Sequence, residues 1–96
     1  MSTQELSDTD YEGYLKSNDL VVVDVFASWC GTCRMFAKSF DEVAAVNPDM
    51  SFAKIDGDIN KDFASKIEID NLPFIAVFKA GEYIGGKSTS KKEGLE

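Results

Sequence analysis

The run Leu20–Ala27, LVVVDVFA, constrains the fold more than any other stretch. It is almost continuously apolar and rich in β-branched residues, with Asp24 as its one charged member. Successive side chains of a strand point to opposite faces of the sheet, so a strand of this kind has to be covered on both sides. The rest of the chain must therefore supply helices above and below it.

Helical and strand signals alternate along the sequence. Thr3–Leu6 reads as a short edge strand. SDTDYEGYLKSND opens with Ser7 as an expected N-cap and spaces Tyr11, Tyr14 and Leu15 at helical intervals. RMFAKSFDEVAAV places Phe36, Phe40, Val43 and Ala44 on one stripe and is closed by Asn47-Pro48, which predicts an amphipathic helix. SFAKID is a second buried strand. Asn60 is placed to cap a short helix carrying Phe63, Ala64 and Ile67. FIAVFK is a third strand, and Ala80-Gly81 turns it back into EYIG. STSKKEGLE, with Ser90 and Glu93 spaced as a capping box, predicts a last helix.

The order β-α-β-α-β-α-β-β-α implies parallel strands joined by right-handed crossovers, with a hairpin adding antiparallel strands at the end. The expected class is α/β: a central mixed sheet of four to five strands with helices on both faces. No repeat, low-complexity tract or linker divides the chain, so residues 1–96 read as one domain.

Charge narrows the function. Ten Lys and Arg against 17 Asp and Glu give a formal charge of −7, which excludes the clustered basic footprint of nucleic-acid binding. The opening MSTQELSDTD lacks a basic n-region and an apolar h-region, so no export is expected. No apolar run approaches the ~20 residues of a membrane helix. The expected compartment is the cytoplasm, where thiols are held reduced.

Against that background stands SWCGTCR, with the chain's two cysteines, Cys30 and Cys33. A bridge across two residues closes too small a loop to constrain the unfolded chain, so a structural staple is disfavoured. A closed zinc site needs about four nitrogen or sulfur ligands, and the sequence offers two thiols and no histidine. A redox couple remains. Placed where a buried strand gives way to a helix, Cys30 sits at the positive end of the helix dipole, which favours the attacking thiolate. Cys33 lies one turn deeper, on the same face and within reach of a disulfide.

VVVDVFASWCGTCRMFA, followed in order by FAKID, NLPF and FKAGE, resembles the thioredoxin family over almost the whole chain. The resemblance implies a thioredoxin-like fold and a protein-disulfide reductase. It also implies a monomer acting on disulfide-containing proteins and re-reduced from NADPH by a flavoprotein, thioredoxin reductase. By the same resemblance, Cys30 is the nucleophile and Cys33 the resolving thiol. Asp24 is a buried acid/base whose pKa burial should raise, and Lys54 is its counter-charge. Trp29 is an exposed aromatic beside the cysteines, and Gly31, Thr32, Leu72 and Pro73 complete the substrate-contacting set. The Leu72–Pro73 bond is expected to be cis, with the Leu72 backbone pairing with substrate like an added strand. No bound cofactor is implied beyond the Cys30–Cys33 disulfide itself.

The sequence also departs from the family pattern. Thr32 replaces a proline between the cysteines, which predicts a less strongly reducing couple. Lys38 replaces a helix-kinking proline, so that helix should run straighter. Asn71 and Phe74 flank Leu72-Pro73 where glycine and threonine are usual, Thr89 stands for a glycine, and Glu68 and Asp70 acidify the rim. The last helix reads as about two turns shorter than the family's. Two further readings follow: a more oxidising relative serving one partner, and a thioredoxin-fold binding module with dispensable cysteines.

Overall fold

The structure, a computed structural model, describes residues 3–69 and 71–88. At its centre runs β2 (Leu20–Phe26), hydrogen-bonded in parallel to β3 (Ser51–Asp56) and antiparallel to β4 (Phe74–Lys79). β1 (Thr3–Leu6) joins β3 in parallel at one edge, and β5 (Glu82–Ser88) joins β4 in antiparallel at the other. The order β1-β3-β2-β4-β5 is the mixed sheet expected, with five strands.

Both faces of β2 are covered. Val21, Val23 and Val25 are wholly buried on one face, with Tyr11 and Leu15 of α1 (Tyr11–Ser17) and Phe63 of α3 (Lys61–Ala64). Val22 points the other way, into a layer formed by Phe36, Phe40, Val43 and Ala44 of α2 (Gly31–Ala45) against Phe52 and Ile75. The anticipated apolar stripe of α2 is therefore the face that docks, and Phe40 and Phe52 meet edge-to-face at 5.6 Å between ring centres. α2 is one uninterrupted helix across Lys38. The two-residue alternation of β2 puts Asp24 on the α2 side, beneath the start of that helix.

Two capping expectations are corrected. α1 begins at Tyr11, not after Ser7. Residues 7–10 form a turn in which Ser7 N–H donates to Asp10 Oδ1 at 2.7 Å, and the Ser7 carbonyl accepts from the amides of Asp10 and Tyr11. Asn60 holds the N-cap position of α3 without capping it. Its side chain accepts from Asp8 N–H at 2.9 Å and donates to the Asp56 carbonyl. The capping acceptor comes from far away in sequence: Asp8 receives the Asp62 and Phe63 amides at 3.2 and 3.0 Å. Tyr11 reinforces the junction by donating its hydroxyl to Asp62 at 2.7 Å, and burial with that carboxylate pushes the phenol's pKa up. Ile67, expected on α3, lies just beyond it and is buried.

The hairpin between β4 and β5 turns at Ala80 and Gly81, both with positive φ (52° and 86°), the pairing that suits a tight hairpin's twist. β5 runs on past EYIG to Ser88. The expected final helix, Thr89 and Asp70 lie outside the described residues.

Candidate active site

The sheet delivers the cysteines through one junction. β2 ends at Phe26, Cys30 N–H donates to the Ala27 carbonyl at 3.1 Å, and Cys30 becomes the N-cap residue of α2. In that position Cys30 Sγ accepts the backbone N–H of Cys33 at 3.1 Å, a role more often filled by a serine or aspartate oxygen. The donor is the amide of Cys33, not the one that Thr32 makes available in place of proline. Cys30 and Cys33 are joined by a disulfide, with their Cα atoms 5.2 Å apart. Cys30 retains a sliver of exposure (8 %), whereas Cys33 is sealed (1 %). Gly31 and Thr32, between them, are exposed.

The two cysteines line different spaces. Cys30 lines a groove of about 570 Å³ together with Trp29, Ile67, Ile69, Asn71 and Leu72. Trp29 is 66 % exposed, the exposed aromatic beside the cysteines that was expected. The Leu72–Pro73 bond is cis, as expected, Pro73 is buried, and Leu72 packs against the cysteine cluster. Gly57, also on the groove wall, carries no motif that marks it. A Cβ there would come within 2.8 Å of Val25 Cγ1, so glycine lets the end of β3 close over β2. The one signal available in the sequence is a glycine immediately after the buried strand SFAKID.

Cys33 instead borders a second cleft of about 350 Å³, shared with Asp24, Lys54, Glu5 and Arg34. Asp24 is 1 % exposed, and its Oδ1 has no hydrogen-bond partner among the described residues. Burial pushes its carboxyl up to about 7, opposed by the positive charge of Lys54 and assisted by the negative charge of Asp41. Lys54 is the register partner of Asp24 on β3 and supplies the opposing positive charge expected of it, without a direct ion pair between the two. On its other side, Lys54 is in register with Glu5 of β1, so a cation stands between two carboxylates across three strands. Neither Glu5 nor Asp41 was legible as part of the site, since both reach it through strand and helix packing and no local motif marks them. Asp41 is itself fixed by Thr3, whose hydroxyl donates to it at 2.8 Å.

Among the described residues no group of three or more His, Cys, Asp or Glu is placed to hold a metal, and no helix is long and apolar enough to cross a membrane. What the arrangement offers chemically is a reversible dithiol–disulfide pair with a neighbouring carboxyl of near-neutral pKa.

The chain matches the family model described as Thioredoxin over residues 2–96. It is 40 % identical over 85 residues to thioredoxin-2 of Saccharomyces cerevisiae, a match spanning 88 % of this chain and 82 % of that one. The oxidised form of mitochondrial thioredoxin 3 from Saccharomyces cerevisiae superposes with a TM-score of 0.87 at 30 % identity, covering 98 % of this chain and 90 % of the other. The thioredoxin f2 solved in complex with ferredoxin:thioredoxin reductase gives a TM-score of 0.90 at 25 % identity, over 97 % and 87 % of the two chains. With a CxxC disulfide at the mouth of a helix, a five-stranded mixed sheet and these likenesses, the chain belongs to the thioredoxin family and is a thiol–disulfide oxidoreductase.

Proposed function

We propose that the chain works as a reductase of protein disulfides, with Cys30 as nucleophile, Cys33 as resolving thiol and Asp24 as proton acceptor. The observation that carries this reading is the division of the couple: Cys30 lines the groove, and Cys33 lines the cleft that holds the buried carboxyl.

In the reduced protein, the Cys30 thiolate attacks one sulfur of the substrate disulfide. A Cys30–substrate mixed disulfide forms, and the other substrate sulfur leaves as a thiolate that takes a proton from solvent. Cys33 then gives its proton to the Asp24 carboxylate and attacks Cys30 Sγ. The mixed disulfide breaks, the second substrate sulfur departs as a thiolate, and protonation completes the substrate dithiol. Two electrons have passed to the substrate, and the protein holds the Cys30–Cys33 disulfide seen here. Trp29, Gly31, Thr32, Leu72 and Pro73 form the contact surface around the attacking sulfur, and the stretch at Leu72, which lies outside the strand ladders, receives the substrate chain as an added strand. Lys54 moderates the cost of ionising Asp24.

The next cycle needs a two-electron reductant. A flavoprotein thioredoxin reductase drawing on NADPH, working in the cytoplasm on a monomeric chain, is the supply we propose. The thioredoxin f2 neighbour, solved with a ferredoxin-linked reductase, defines the competing supply. Thr32 in place of proline favours a potential above that of the ordinary family couple.

Insulin disulfide reduction tests the reading. Turnover with a chemical dithiol is expected, lost in Cys30→Ser, while Cys33→Ser accumulates a covalent adduct with substrate that dithiol releases. No turnover by the unaltered protein with either dithiol or reductase, or full turnover by Cys30→Ser, would overturn it.

A further inference from the structure

One amide on the groove beside Cys30 is already occupied from within. Leu72 lies on the groove beside Cys30, outside the ladders of β4, which begin at Phe74. A main-chain donor without a ladder partner next to a reactive sulfur is the kind of group onto which an extended segment adds. Here the Leu72 N–H donates to the side-chain Oδ1 of the preceding residue, Asn71, at 3.0 Å. The Asn71 backbone is itself tethered, its carbonyl accepting from the Ser88 hydroxyl of β5 at 3.1 Å. The side chain is exposed and lines the same groove. It can therefore swing away without moving the strand end behind it.

We propose that Asn71 is a specificity-determining residue: its side-chain oxygen caps the Leu72 amide and must be displaced by a main-chain carbonyl of the substrate. This rests on the reductase reading above and on strand addition at Leu72. The cap sets a threshold. A polypeptide segment that offers a carbonyl in register replaces one hydrogen bond by another and gains the remaining contacts of the groove. A small disulfide with no peptide backbone neither needs the amide nor meets the cap. The residue thus tunes the affinity for polypeptide disulfides while leaving the sulfur chemistry unchanged.

The consequence has two opposite signs. Asn71→Ala removes the internal acceptor and leaves the amide to water, so KM for a peptide disulfide should fall about three-fold with kcat unchanged. Asn71→Asp strengthens the acceptor by charging it, so KM should rise about three-fold. The test follows reduction of a disulfide-cyclised peptide with neutral flanking residues, to keep long-range charge out of the comparison. In parallel it follows reduction of 2-hydroxyethyl disulfide, whose rate should be the same in all three proteins and shows each to be folded and redox-competent. Opposite KM shifts confined to the peptide support the inference. Coincident peptide KM values, or shifts of the same sign in both variants, overturn it while the reductase reading stands. Failure of the unaltered protein on both substrates removes that reading, and this one with it.

Discussion

Asp24 is a carboxyl held where water cannot reach one of its oxygens and where no donor among the described residues replaces the water. Ionising it inside the sheet–helix junction is unfavourable, and its pKa lies near 7, not in the ordinary carboxylate range. The folded chain therefore binds this proton more tightly than the unfolded chain does. Below about pH 4 both states are protonated and the group is silent. Between there and about 7 the folded state alone keeps the proton, so stability falls as pH rises, and above 7 the penalty is complete. At about 1.4 kcal/mol per pH interval, the penalty amounts to roughly 4 kcal/mol. Asp24→Asn should then flatten the profile: denaturant midpoints of the two proteins converge near pH 4, and the variant is the more stable at pH 8. Parallel profiles would contradict the burial argument. If Asp24 is the proton acceptor proposed for Cys33, the same variant should slow release of substrate from the mixed disulfide. The sequence announced this residue, since a carboxylate flanked on both sides by valines in LVVVDVFA cannot reach water from either face of a covered strand. It did not announce that Lys54, one strand away, stops short of pairing with it, because register fixes neighbouring positions and leaves the course of a long side chain open.

At the scale of elements, two short pieces depend on local details. α3 spans only Lys61–Ala64, too short to persist unaided. It is held by the Asp8 carboxylate on its first amides and by Phe63 in the core. Asp8→Ala should cost about 1 kcal/mol, read as a Tm lower by roughly 4–8 °C for a domain of this size. The loosened wall should also show faster amide exchange at Ala64, which borders the groove. The hairpin carries the opposite opportunity. Ala80 is exposed and holds a φ of 52°, a conformation in which a Cβ is unfavourable. Ala80→Gly should stabilise the protein by about 0.5–1 kcal/mol, and an unchanged or lower Tm would count against that turn geometry. The strands, the long helix and the hairpin were all readable because each is written in a contiguous pattern. Ser7 and Asn60 misled for one reason: a polar residue in front of a helical pattern marks a cap, but which side chain reaches the amides depends on how distant segments pack. Asp8 serves a helix more than fifty residues away.

Across the whole molecule, the alternation of strands and helices predicted a mixed sheet with helices on both faces, while the strand order β1-β3-β2-β4-β5 came only with the fold. The cysteine pair was equally plain, since its spacing and its place at a strand–helix junction both survive in one dimension. What required the folded chain was the grouping around it: Glu5, Lys54 and Asp24 drawn level across three strands, and the Asn71 oxygen resting on the Leu72 amide. The same grouping has a consequence for catalysis under load. Cys30 meets its partner on the side of Trp29 and Leu72, while Asp24 and Cys33 share their own opening beside Lys54. On the proposed mechanism, a bulky client that plugs the front entrance would leave this rear door ajar, and proton trade with bulk water could go on while the covalent embrace lasts.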